Sequence, residues 1–292
     1  MEEALRIESS DGVILSGRGI FFEGSPFCLI FTHPYAMLGG NKENNVVKAL
    51  YSYFGGQKVK LKSEIVECKM SVVRFDFRGA GDSSGRGSWR GMGEVEDLRN
   101  VCSFLYKNKG IKKVLIVGYS YGAVIGSRVA GEMYQKVLDS KNEGNEEVND
   151  EDNNEDGEDK KEIKHEGESN REEEEEEEGN NQKRDNEKET RIDEIEIVGS
   201  ISIAYPFSVL WALVLFNTRE FLTLSKCELP KLFILGTDDN FTSVSSFQSY
   251  LSTYPSPKQI ELLPNCDHFF WGNEKKLQPI IQNWILQNLT SK

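Results

Sequence analysis

The chain has 292 residues, enough for one large α/β domain or two small ones. Of its net charge of −13, residues 139–194 hold about −17 and the rest about +4. The overall acidity argues against a nucleic-acid partner, though the mildly basic remainder weakens that argument. Five widely spaced cysteines without a C-x-x-C pair point to reduced thiols rather than a disulfide frame or zinc site. The start, Met1-Glu2-Glu3-Ala4-Leu5, has no signal-peptide character. No uncharged apolar run reaches the ~20 residues of a membrane span. A cytoplasmic protein is expected.

Taken in chain order, residues 4–9 and 13–21 read as strands joined by Ser-Asp-Gly, a hairpin signal. Residues 27–32 form an apolar run typical of a buried parallel strand, ending in His33-Pro34. Val46, Val47, Leu50 and Phe54 recur at helical spacing. The lysine-rich stretch 58–69 is ambiguous between elements. Residues 70–77 form a second buried strand, and Arg78-Gly79-Ala80-Gly81-Asp82-Ser83-Ser84-Gly85 a loop held by its glycines. An amphipathic helix is expected over 89–106, a strand over 114–117 and a helix over 121–138. Residues 139–194 hold hardly any apolar side chain and cannot offset the entropy of ordering, so a disordered surface insertion is expected there. Strands at 197–203, 232–235 and 260–263 follow, with a short helical cap within 206–228 and helices over 243–251 and 277–289. Strand and helix alternate from residue 27 onward, which implies an α/β fold with a mostly parallel sheet covered on both faces. One such domain, 1–138 with 195–292, is expected.

Gly118-Tyr119-Ser120-Tyr121-Gly122 matches G-x-S-x-G. Five residues alone carry little, but a strand precedes them and a helix follows. A sharp strand-to-helix turn needs small residues on either side, and it lifts a serine hydroxyl above the sheet. Ser120 is therefore the candidate nucleophile. It needs a base. Of three histidines, His165 lies in the acidic segment and His33 precedes the nucleophile, which leaves His268 after the last strand. The acid that orients this imidazole is expected on the loop Gly236-Thr237-Asp238-Asp239, with Asp239 preferred and Asp238 the alternative. Two backbone donors would stabilise the oxyanion: Tyr121 N–H, and a second from the loop after residue 32. Pro34 has no N–H, so Tyr35 is preferred over Ala36. His33 either positions that loop or is a hydrogen-bonded strand-end residue. Tyr119, Trp211 and Phe269, with His33, are candidate pocket residues, and ordinary packing is the alternative for each.

Together these residues resemble the α/β-hydrolase superfamily over most of the chain outside the acidic segment. The loops His33-Pro34-Tyr35-Ala36-Met37-Leu38-Gly39-Gly40 and Phe75-Asp76-Phe77-Arg78-Gly79-Ala80-Gly81 look like a lidless intracellular subgroup described as serine aminopeptidase-like or X-Pro dipeptidyl-peptidase-like. The resemblance implies an eight-stranded sheet and a Ser120–Asp239–His268 triad. The sequence departs from that pattern in two places: the lysine-rich stretch 58–69, longer than the fold needs, and the acidic insertion. Without the insertion only about 64 residues separate Ser120 from Asp239, room for a small cap and an open site.

The expected activity is hydrolysis of a carboxylic ester or thioester through an acyl-enzyme, with no cofactor and no metal. A peptidase or amidase is the second reading, and it would need a carboxylate to receive a peptide amine. A third is a non-catalytic scaffold whose residues 139–194 bind a basic protein partner. A small acyl substrate is the expected ligand; the oligomeric state stays open.

Overall fold

A computed structural model describes residues 1–25, 27–60, 67–150, 195–215 and 217–289. The chain divides into two units, Met1–Tyr134 with Ile195–Lys292, and Gln135–Glu194. In the second unit the described backbone is helical as far as Asp150, and Gln135 Nε2 donates to Asp139 Oδ1 at 2.8 Å. The helix expected to end at 138 thus runs twelve residues further. Residues 151–194, most of the acidic insertion, lie outside the described residues, and with them the reading of a disordered segment that holds a basic partner.

The first unit is built on one eight-stranded sheet, as expected. Strands β1 (Glu2–Glu8) and β2 (Ile14–Ile20) form the antiparallel hairpin at its edge. Residues 58–69 resolve into two short antiparallel strands apart from the main sheet, β4 (Lys58–Lys60) and β5 (Glu67–Lys69), with 61–66 outside the described residues. The other strands are β3 (Phe27–Thr32), β6 (Ser71–Phe75), β7 (Lys113–Tyr119), β8 (Glu196–Ile203), β9 (Lys231–Gly236) and β10 (Lys258–Leu263). These six run parallel to one another, and the sheet order is β1-β2-β6-β3-β7-β8-β9-β10. Strands β3, β6 and β9 are buried along their whole length, as parallel strands covered on both faces are.

Helix α1 (Asn45–Phe54) begins at Asn44, whose side chain accepts from Val46 N–H. Its Val46, Leu50 and Phe54 join Leu277, Ile281 and Trp284 of the last helix, Glu274–Asn288, over one face of the sheet. Leu29 and Phe31 of β3 point into that core. The side chains that alternate with them, Cys28 and Ile30, point to the opposite face. There helix α3 (Tyr121–Asp150) lays Gly126 on Ile116 of β7, so close that a Cβ would stand 2.7 Å from the Ile116 methyl. Helix α2 (Met92–Lys109) buries Val95, Leu98, Val101 and Leu105.

This topology decides where a ligand can bind. After β3 the chain crosses to β6 on one side, and then returns to β7 on the other. The loops leaving β3 and β7 therefore diverge and open a crevice at the strands' C-terminal ends, the usual ligand site in such sheets.

Candidate active site

The turn after β7 puts Ser120 at φ 54°, in the left-handed region that side chains normally avoid. The turn is tight because its glycines let other backbone in. A Cβ at Gly118 would lie 2.4 Å from Ala123 Cα, and one at Gly122 would lie 2.5 Å from Thr32 O. Ser120 N–H donates to Ile203 O at 2.8 Å, which ties the turn to β8. The strain is thus held by contacts on both neighbouring strands.

His268, on the loop after β10, brings Nε2 to 2.9 Å from Ser120 Oγ. Its Nδ1 lies 2.7 Å from Asp239 Oδ2. A carboxylate only accepts, so Nδ1 carries the proton and Nε2 is free to accept from the serine hydroxyl. Asp239 is fixed in turn: its Oδ1 accepts from Phe241 N–H at 2.8 Å and from Thr242 N–H at 2.9 Å. Asp238 is exposed and only receives the Thr237 hydroxyl at 3.1 Å. Between the two expected alternatives, Asp239 is the one joined to the imidazole. Tyr119 Oη donates to His268 O at 2.8 Å, and the Phe241 ring lies 4.4 Å from the imidazole, so the ring is held on several sides.

Tyr35 and Tyr121 also meet, with their rings 5.0 Å apart. Among the described residues neither backbone N–H has an acceptor. The loop that carries Tyr35 is anchored by a buried ion pair. Lys42 Nζ lies 2.6 Å from Asp76 Oδ2, and Lys42 N–H donates to Asp76 Oδ1 at 2.6 Å. Arg74 donates to Lys42 O at 2.8 Å. Asn45 Nδ2 donates to Phe269 O at 2.9 Å, linking α1 to the histidine's loop.

His33 is wholly buried and lies outside the cavity above Ser120. Its Nδ1 donates to Pro34 O at 2.7 Å, and Nε2 accepts from Phe77 N–H at 2.9 Å. Both nitrogens are used by a neutral ring, and burial pushes its pKa down to about 4. His33 therefore holds the strand-end loop. Arg78 is likewise structural, donating to buried Asp97 at 2.7 Å and to Asp11 at 2.7 Å.

A cavity of about 570 Å³ opens over Ser120 and His268. Tyr35, Tyr119 and Phe269 line it. Trp211 does not: it lies on the short helix Leu210–Leu213, outside the cavity lining, and Val209 and Leu213 face the cavity instead. The sequence reading of Trp211 as a pocket residue is corrected on this point. A four-residue helix has no stripe by which its inward side could be read. Leu38, Phe241 and Trp271 complete the apolar wall, and loop residues of this kind carry no periodic signal. Asp76 carries one: a carboxylate between two buried phenylalanines, Phe75 and Phe77, requires a partner.

Comparison with known proteins gives two partial family matches. Residues 56–140 match the model for serine aminopeptidase, S33, and residues 210–288 match that for the PhoPQ-activated pathogenicity-related protein. The first span includes Ser120 and the second includes Asp239 and His268. No curated protein matches the chain. Among solved structures, an alpha-beta serine hydrolase homologue from Coxiella burnetii is similar at 21 % identity and TM-score 0.61, over 96 % of each chain. A serine hydrolase without a lid from Xanthomonas campestris is similar at 20 % identity and TM-score 0.60, over 97 % of this chain and 93 % of that one. An esterase of Pyrococcus furiosus is similar at 15 % identity and TM-score 0.61, over 98 % and 91 %.

Proposed function

We propose that this chain, which by its fold belongs to the α/β-hydrolase superfamily, is a serine hydrolase of carboxylic esters or thioesters. The observation that carries the reading is the run of two hydrogen bonds from Asp239 through His268 to Ser120. In this proposal Ser120 Oγ attacks the acyl carbon while His268 Nε2 takes its proton. Asp239 stabilises the imidazolium that forms. Tyr121 N–H and Tyr35 N–H receive the negative charge on the carbonyl oxygen. His268 then protonates the departing alkoxide or thiolate, leaving an acyl-enzyme. Water, deprotonated by His268, attacks that acyl group, and Ser120 recovers its proton as the acid leaves. The apolar wall of Leu38, Val209, Leu213 and Trp271 supports an acyl chain as the part held above the serine.

A peptidase or amidase is the second reading, favoured by the serine aminopeptidase match over residues 56–140. A reducing, cytoplasmic setting belongs to the same proposal, supported by the free thiols of Cys28, Cys102, Cys227 and Cys266. Among the described residues no helix is long and apolar enough to cross a membrane.

Turnover of 4-nitrophenyl esters of increasing acyl length, an acyl thioester and an aminoacyl 4-nitroanilide, each with Ser120→Ala as control, tests the proposal. Ester or thioester hydrolysis lost in the variant is the expected result. Hydrolysis of the anilide alone would transfer the assignment to the amidase reading.

A further inference from the structure

Twelve large hydrophobic side chains stand exposed among the described residues, and half of them lie on three segments at one end of the sheet. Met37 and Leu38 are on the loop after β3, Trp211 and Leu215 on the segment after β8, and Phe269 and Trp271 on the loop after β10. These three segments meet at the cavity over Ser120, each giving it at least one wall residue. The six side chains therefore lie around its mouth. Trp211 is 58 % exposed and Trp271 67 %. With about 150–250 Å² to an aromatic side chain, these two indoles alone leave roughly 250 Å² in water. The other four bring the total past the few hundred Å² at which an apolar patch marks an interaction site.

The second observation is charge. Residues 34–41 and 204–215 hold no Asp, Glu, Lys or Arg, and residues 264–273 hold only Asp267. That carboxylate is turned to its own loop, where it accepts from Phe269 N–H and Phe270 N–H at 3.0 Å. The loops that enter β3, β7 and β9 at the opposite end of the sheet are shorter, yet they carry Glu23, Lys112, Lys226 and Glu228. Just past the apolar segments charge resumes in both signs, at Glu43, Lys275 and Lys276, and the loop after β9 adds Asp238. An anionic membrane is met by a cluster of basic residues, and these three segments hold none. The complement of an apolar, uncharged ring is a surface that is itself apolar and uncharged.

The position of the ring decides what that surface is. Leu38, Phe269 and Trp271 belong both to the ring and to the cavity wall. A second copy of the chain seated on them would seal the mouth and cut Ser120 off. A lipid–water interface covers the same side chains and leaves the mouth open to the acyl chains beneath. Exposed tryptophans suit that boundary, since an indole has an apolar body and one N–H for the wet side.

We propose that this end of the domain docks on an uncharged lipid–water interface, and that the cavity over Ser120 draws its ester from the lipid phase. The choice of substrate rests on the serine-hydrolase reading, whereas the docking itself does not. Trp211, which lines no part of the cavity, acts here as an anchor.

Flotation of the full chain with phosphatidylcholine vesicles at physiological salt reads the docking without any turnover. The expected result is a vesicle-bound fraction whose partition coefficient falls at least about tenfold in Trp211→Ser. Hydrolysis of 4-nitrophenyl acetate in solution should stay within about twofold in that variant, while hydrolysis of 4-nitrophenyl palmitate carried in the vesicles falls with binding. A parent chain that stays off the vesicles overturns the proposal, as does a Trp211→Ser chain that binds them equally well. Binding that appears only when phosphatidylserine is added also overturns it, because charge would then be the attraction. A dimer in sedimentation equilibrium that Trp211→Ser splits would give the ring to a second copy and overturn it too. If the parent floats with the vesicles but turns over neither ester, the docking stands and the hydrolase reading falls.

Discussion

Replacing Asp239 by asparagine tests the proton arrangement more sharply than removing it. Asp239 Oδ1 accepts two backbone N–H groups, from Phe241 and Thr242, at 2.8 and 2.9 Å. In Asp239→Asn the amide oxygen must stay with those donors, because an NH₂ there would face two N–H groups. The amide NH₂ then points at His268 Nδ1, in the place of the oxygen now 2.7 Å away. That nitrogen must accept, so the ring proton moves to Nε2. The imidazole then offers Ser120 a donor where the reaction needs an acceptor. The same exchange of tautomer in the serine-protease triad costs about 10⁴ in kcat, or about 5.5 kcal/mol. Since the side chain keeps its size and its two backbone bonds, thermal stability should change little. The assay is the burst and steady state of 4-nitrophenyl acetate hydrolysis, with thermal unfolding alongside. A drop of about 10⁴ is expected, against at most about twofold for Asp238→Asn, whose carboxylate meets only Thr237. Activity of Asp239→Asn within tenfold of the parent would refute the assignment of the acid.

Three further outcomes follow from the packing. His33 is neutral in the fold, with its pKa pushed down to about 4, whereas the unfolded ring titrates near 6.5. Below pH 6.5 the unfolded chain binds the extra proton, so His33's contribution is complete above that pH and is lost toward pH 4. About 3 kcal/mol is at stake, read as the parent-minus-His33→Asn difference in urea unfolding between pH 7 and 4.5; a difference independent of pH would contradict it. Gly122→Ala drives a Cβ to 2.5 Å from Thr32 O and should destabilise by about 1–3 kcal/mol, seen as a lower melting temperature. Trp271→Ala should weaken kcat/KM for medium-chain esters about fivefold by removing apolar wall, while Trp211→Ala should leave it within about twofold.

The chemistry of this site is more legible in the sequence than its walls are. Ser120 declares itself through the strand before it, the helix after it and the two glycines whose absent side chains admit Ala123 and Thr32. His268 follows because only one histidine stands after the nucleophile and outside the acidic segment. Asp238 and Asp239 are neighbours in one loop, and only the turn that sends one carboxylate inward separates them. The walls come from loops, where side-chain direction has no period. Hence Trp211 faces solvent and Trp271, two residues beyond Phe269, lines the cavity. The end of α3 was unreadable for another reason. Loss of apolar residues after Leu138 marks where burial stops, not where backbone hydrogen bonding stops, and the helix continues to Asp150.

The central claim is that Ser120 is a nucleophile activated by His268. A fluorophosphonate reacts with such a serine and spares ordinary hydroxyls. Peptide mass spectrometry after exposure to the probe reads the answer at a single residue. The account predicts one adduct per chain, on Ser120, formed more slowly by orders of magnitude in His268→Ala. An unlabelled chain, or an adduct carried on another residue, would contradict it.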